Sequence, residues 1–237
     1  MSSTFAWHDL FTKDRQSSME FYSALFGYTF EEEENRAIFS NQDGPQGALI
    51  DMDSSLGLPT HWLPYISVPS TTDAAFRIGA GGGRLIMSGN SFLIFTDVEG
   101  ALLKIFQGNM AHSVDSQCPG SIVFDELLCT NSKQALAFIQ NITGWHSTTT
   151  QLWPTGEYHF CTEKDSDVAI AGIRTVNPKT VPSSFWVSHF KTDNLKAALG
   201  KVLDLGGAIV TPYLHLPGYG LSAIVQDNLG ATFALLE

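Results

Sequence analysis

The chain has 237 residues, 43% hydrophobic and 16% charged, so it can bury a core and is not a disordered polymer. Thirteen Lys and Arg stand against 24 Asp and Glu, and the net charge of -11 argues against a nucleic-acid partner. No apolar run approaches the roughly 18 residues of a bilayer span, which argues against a membrane partner.

In chain order, the N-terminal MSSTFAWH shows no basic region ahead of an apolar stretch, so no signal peptide is read there. The three cysteines, Cys118, Cys129 and Cys161, share no C-x-x-C spacing, which fits reduced thiols and a cytoplasmic protein. Trp7–Thr12 alternates as a strand, Asp14 can cap a helix, and Gly27 stands where that helix would stop. Strands follow around Arg36–Ser40 and Gly47–Met52. GAGGGR at Gly79–Arg84 ends a second helix; because it follows a helix, it is not a phosphate loop. Strands at Ser91–Thr96 and Leu102–Phe106 complete this half. The stretch Gly108–Gly120 is polar with Pro and Gly, and reads as a linker.

Beyond it the pattern repeats. WHDLFTKDRQSSMEFYSALFGY from Trp7 matches FDELLCTNSKQALAFIQNITGW from Phe124 without a gap, aligning Asp9 with Glu126, Asp14 with Asn131 and Gly27 with Gly144. The segments from Trp62 and Trp186 match next, carrying Tyr65 onto His189 and Gly82-Gly83 onto Gly206-Gly207. DVEGALLKIF from Asp97 then matches DNLGATFALL from Asp227. The offset grows along the chain, so the second copy carries two short insertions, one of them in the loop His215–Gly220. Asp193 is the expected cap of the last helix, and strands are expected at Tyr158–Thr162, Val168–Arg174, Leu221–Gln226 and Thr232–Leu236. Four βαβββ units result, in two halves at residues 1–108 and 121–237, joined by a linker at 109–120: an α+β fold.

FYSALFGY, the W-x-x-Y strand, the double-glycine turn and the D-x-x-G-A-x-F-x-L strand resemble the vicinal oxygen chelate superfamily, and its two-domain bacterial glyoxalase-like branch in particular. That superfamily includes glyoxalase I, extradiol dioxygenases and bleomycin-resistance proteins. The resemblance implies that paired units curl their sheets into open cups where metals or organic ligands bind. It also implies metal ligands on the first and last strands of each unit. Those positions fall at Trp7, Leu63, Phe124 and Val187, and at Lys104 and Ala234, none of which ligates a metal; the nearest acid is Asp51. The expectation is therefore no metal and no cofactor. His8, one residue from such a position, alternates towards the helix face.

The same alternation sends Trp7, Asp9, Phe11, Leu63, Tyr65, Ser67, Lys104 and Phe106 into the first cup. Phe124, Glu126, Leu128, Val187, His189, Lys191, Ala234 and Leu236 enter the second. An acid recurs at one place, Asp9 in the first cup with Tyr65 and Lys104, and Glu126 in the second within reach of His189 or Lys191. A carboxylate in an apolar cup must be paired, hydrated or functional. The inserted hairpin with Tyr213, His215 and Tyr219 is expected at the rim of the second cup, making it the better enclosed. Two readings of function follow. One is metal-independent binding of a small molecule, as in sequestration or resistance, with Trp7, Asp9, Phe11, Tyr65, Lys104, Phe124, Lys191, His215 and Tyr219 as contacts. The other is a lyase, isomerase or dioxygenase, using Glu126 and His189 as catalytic groups or a metal site in another register. The expected partner is a small molecule, and the chain is either a monomer that pairs its own halves or a homodimer.

Overall fold

Helix ends in this chain are written in short polar side chains and glycines. In a computed structural model that describes residues 3–53, 55, 57–108, 116, 118–152, 156–179, 183–216 and 218–237, each lands at a helix end. Helix α1 (Arg15–Phe26) starts behind Asp14, whose carboxylate accepts from Ser17 N at 3.0 Å, and stops at left-handed Gly27. Helix α3 (Ser132–Thr143) starts behind Asn131 and stops at left-handed Gly144. Such caps contribute about 1 kcal/mol each. Helix α2 (Thr71–Ala80) is capped by Ser70. Helix α4 (Leu195–Asp204) corrects one expectation: its cap is Asn194, not Asp193, because the side chain that reaches Ala197 N belongs to the residue directly before the helix.

The first half has eight strands: β1 (Thr4–Thr12), β2 (Thr29–Glu32), β3 (Arg36–Asn41), β4 (Gly44–Asp51), β5 (His61–Val68), β6 (Arg84–Ser88), β7 (Phe92–Thr96) and β8 (Leu102–Gln107). The second repeats them as β9 (Ile122–Cys129), β10 (His146–Leu152), β11 (Gly156–Thr162), β12 (Ala169–Thr175), β13 (Phe185–Lys191), β14 (Ala208–Leu216), β15 (Gly220–Gln226) and β16 (Thr232–Leu236). The sheet orders are identical, β2-β3-β4-β1-β5-β8-β7-β6 and β10-β11-β12-β9-β13-β16-β15-β14. In each, the first strand of a unit runs parallel to the last, and hairpins carry the sheet outward. Both sheets curl, so the chain is an α+β fold of two cup-like halves. Strands β2, β6, β10 and β14 form the sheet edges. Of the expected linker at 109–120, residues 109–115 and 117 lie outside the described residues.

Close packing groups the chain into two units. One comprises Met1–Trp7, Pro64–His112 and Phe124–Trp186. In it Phe5 lies 5.5 Å from the rings of both Trp145 and Trp186, and Phe138 of α3 lies 6.2 Å from Phe95 of β7. The other comprises His8–Leu63, Ser113–Val123 and Val187–Glu237. Its core joins Leu10, Phe21, Tyr22, Trp62, Phe190, Val202 and Phe233, each worth about 1.5–3 kcal/mol when buried. Leu10 packs with α1 in this core, so β1 alternation turns His8 to the helix side and Asp9 to the opposite, concave side. His8 is fully buried.

Candidate functional site

Strands β7 and β8 alternate between buried and half-buried residues along their length. Leu93, Phe95, Leu103 and Ile105 are buried, and Phe95 faces Phe138 of α3. Phe92, Ile94, Lys104 and Phe106 alternate to the other face, and register places Tyr65 beside Lys104 on that side. One face of this sheet half is thus partly open and largely aromatic. In its middle, Lys104 Nζ donates to the Tyr65 hydroxyl at 2.7 Å. The ammonium also sits 4.0 Å from the Tyr65 ring centroid and 4.9 Å from that of Phe92. Aromatic faces attract a cation, so the charge is held in place without leaving the face. Tyr65 and Lys104, expected together, are together. Phe92 was missed because the reading followed only the first and last strand of each unit, and Phe92 lies on the strand between.

In the second sheet the central strands β9, β12 and β16 are buried on both faces. His159 on β11 contacts Ser132 of α3 at 3.2 Å, so its neighbours Tyr158 and Phe160 project from the face away from that helix. Thr175 likewise meets the α3 backbone at Ser132 N, which turns Arg174 the other way. On the face away from α3, Arg174 Nε donates to Glu126 Oε1 at 2.9 Å. Both side chains are nearly sealed, at 7% and 1% exposure. The phenol of Tyr158 is pushed well above its ordinary range, first by burial and then by the Glu126 carboxylate. Register explains the meeting: Glu126 lies opposite Gly172, and Tyr158 opposite Arg174. Gly172 supplies the room, because a Cβ there would overlap the Tyr158 hydroxyl. Phe124 and Phe160, 6.4 Å apart, pack beside the group. Arg174 is not among the expected site residues, although a lone Arg in the apolar run AIAGIRT is a signal in the sequence.

The remaining expected residues differ in exposure and in the partners described for them. His189 is buried, with Nδ1 3.2 Å from Ser222 Oγ. Asp9 is buried, and Trp7 and Phe11 are half-buried; Phe11 stacks on His61 at 5.3 Å and 8°. Lys191 is half-buried, and its backbone is bonded to Gly120 and Ser121. The insertion lengthens the β14–β15 hairpin, whose tip leaves Tyr213 and His215 exposed and Tyr219 half-buried. Tyr213 holds a positive φ of 36° beside a register shift of that edge hairpin.

No protein-family profile matches the sequence. CFP32 of Mycobacterium tuberculosis, named provisionally as a glyoxylase, is 24% identical, over 98% of this chain and 93% of its own length. The anthracycline biosynthesis protein DauV of Streptomyces sp. (strain C5) is also 24% identical, over 98% of this chain and 92% of its own. Among solved structures, homoprotocatechuate 2,3-dioxygenase of Brevibacterium fuscum superposes with a TM-score of 0.67 at 11% identity. It covers 100% of this chain and 81% of its own. The chain has the fold of the vicinal oxygen chelate superfamily.

Proteins of this fold include metal enzymes, such as a Mn(II)-bound glyoxalase of Novosphingobium aromaticivorans. Among the described residues, no three His, Cys, Asp or Glu side chains are grouped to hold one. Asp51, the nearest acid to an expected ligand position, is exposed and lies 3.4 Å from Arg15 Nε. At the last-strand position of the second unit stands Lys104, whose ammonium has no lone pair to offer. These residues do not fit the superfamily's metal site. The thiols add no donor: burial pushes both Cys129 and Cys161 up to about 12.

Proposed function

We propose that this protein binds a small, flat organic molecule carrying an acidic oxygen on the half-open face of Tyr65, Phe92, Lys104 and Phe106, without a superfamily-type metal. The observation that carries this reading is the Lys104 ammonium, fixed between the Tyr65 hydroxyl and two aromatic rings on a face that keeps solvent access. Apolar walls with one or two placed polar groups are what small-molecule sites use. The rings supply stacking area and the ammonium supplies a counter-charge for a carboxylate or phenolate. Two likenesses support an aromatic, oxygen-bearing ligand: a relative named for anthracycline biosynthesis, and a structural neighbour solved with 3,4-dihydroxyphenylacetate. Sequestration or resistance fits such a site. Catalysis by Glu126 and His189 is the weaker reading, because both side chains are sealed from substrate at 0% and 1% exposure.

The test begins with metal content by mass spectrometry on untagged protein prepared without chelators, then thermal shift with 3,4-dihydroxyphenylacetate. The expected result is metal far below one equivalent, and a melting temperature that rises with ligand in the parent protein but not in Lys104→Met. At a hundredfold excess over Kd the ligand stabilises by about 2.7 kcal/mol, or roughly 5–10 °C for a chain of this size. Stoichiometric Zn, Ni, Fe or Mn would overturn the metal-free reading. An equal shift in Lys104→Met would move the site elsewhere.

A further inference from the structure

We propose that a half-open cavity of about 280 Å3 beside helix α2 binds a small apolar α-amino acid, at a site that does not depend on the Lys104 face. All of its lining belongs to one of the two units. The floor is apolar and buried: Val68 at the end of β5, Ala74 of α2, Ile142 of α3, and Trp145 just beyond that helix. The chain's own repeat explains why the space is open. Trp145 aligns with Tyr28, and the two rings make the same contact: Trp145 donates to the Ser3 carbonyl and Tyr28 to that of Gly120. Two residues earlier the copies differ. Phe26 packs against Gly120 and stacks on Phe190 at 5.3 Å and 9°. Its counterpart Thr143 is short and folds back, donating from Oγ1 to the Ile139 carbonyl at 2.8 Å. An aromatic ring thus fills in one copy what threonine leaves empty in the other.

The mouth of the cavity carries charge of both signs. Asp73 stands one turn before Arg77, so both lie on the same face of α2. The aligned residues of α4 are Ala197 and Lys201, so the acid is absent from the other copy. Arg77 Nη1 donates to the Asn141 carbonyl at 2.9 Å, which tethers the guanidinium to the end of α3. Lys164, on the turn between β11 and β12, supplies a second cation. Among the described residues, none of these three side chains is in an ion pair. Opposite charges around a small apolar floor match a molecule with both charges at one end and an apolar group at the other. The carboxylate meets Arg77, whose planar fork suits it, and Lys164; the ammonium meets Asp73; the side chain covers the floor. The volume lies at the low end of small-molecule sites, about 300–1,000 Å3, which suits one amino acid. The charged groups stand in water, so they set selectivity, while burial of the side chain supplies most of the affinity.

The probe is L-leucine, compared with 4-methylpentanoate, which lacks its ammonium, and 3-methylbutylamine, which lacks its carboxylate. Affinities are measured by titration calorimetry on the full chain. L-leucine is expected to bind about tenfold more tightly than either analogue. Asp73→Asn narrows the gap to 4-methylpentanoate, and Arg77→Gln narrows the gap to the amine. Thr143→Phe, which supplies the ring that fills this space in the other copy, abolishes binding while the protein still unfolds cooperatively. No binding of L-leucine to the parent protein, or equal binding of all three compounds, would overturn the proposal. So would L-leucine binding that persists unchanged in folded Thr143→Phe. If Thr143→Phe does not fold, the two charge variants on the exposed helix face decide, and unchanged discrimination in both overturns the proposal.

Discussion

Gly172 lies under the phenol of Tyr158, on the strand that faces Glu126, and a Cβ at that position would overlap the Tyr158 hydroxyl and ring. Its backbone is ordinary extended strand, so the glycine is there for space. Gly172→Ala is expected to destabilise the fold by about 1–3 kcal/mol, because the strand or the ring must shift in a sealed region. Adding Tyr158→Phe removes the nearest clashing atom, so the double variant is expected to lose less than the sum of the two. Urea unfolding of the three variants checks this, and strict additivity would show that the two residues do not share the space.

The ion pair over that glycine should behave as buried pairs do. Glu126→Gln strands a guanidinium that is nearly out of water, and Arg174→Met strands a carboxylate. Each is expected to cost about 3–5 kcal/mol. Replacing both, with Glu126→Leu and Arg174→Met, removes the uncompensated charge and is expected to recover much of the loss. Ligand binding at Lys104 should survive the double change, since both groups sit on the other sheet. Loss of that binding in a folded double variant would instead place the pair in the functional machinery.

These two clusters also show what could be read from residues alone. The halves were legible because an identical fold leaves identical marks: caps at Asp14 and Asn131, stops at Gly27 and Gly144, and the Asp97 and Asp227 turns. In those turns each carboxylate accepts from the backbone two and four residues on. Edge strands were harder. TFEE and HSTTTQL at the sheet margins carry no alternation, because a strand with one neighbour and much solvent has no buried face to pattern it. Tyr65 with Lys104 followed from alternation within one register. Glu126 with Arg174 did not, because it depends on Gly172 letting Tyr158 lie across the strand. A missing side chain leaves no mark in a hydrophobicity pattern.

The thiols give a simple check on how tightly the second sheet is closed. Cys129 and Cys161 are fully buried, and burial holds each near 12, so almost no thiolate exists at neutral pH. Cys118 is half-buried. Native protein treated with iodoacetamide at pH 8 is expected to gain one label, on Cys118, and all three cysteines should react in urea. Native labelling of Cys129 or Cys161 at a comparable rate would mean that β9 or β11 opens far more often than its packing allows.

A last expectation concerns acid. Asp97 and Asp227 both stand above the ordinary carboxylate value of 3.8, raised first by burial and held back by backbone donors. Each therefore keeps its proton to higher pH in the folded chain than in the unfolded one. Between the two values the folded state binds more protons, so these groups make stability fall as pH rises from about 4. Asp97→Asn isolates the effect, because its carbonyl can still accept from Glu99 N and Ala101 N, and Ser184 Oγ can turn to accept from the amide. The free-energy difference between the variant and the parent should then shift in the variant's favour as pH rises through this window. Exposed carboxylates, common to both proteins, cancel in that difference. Urea titrations at a series of pH values measure it. A difference that stays flat, or moves the other way, would mean that the backbone donors around Asp97 outweigh its burial.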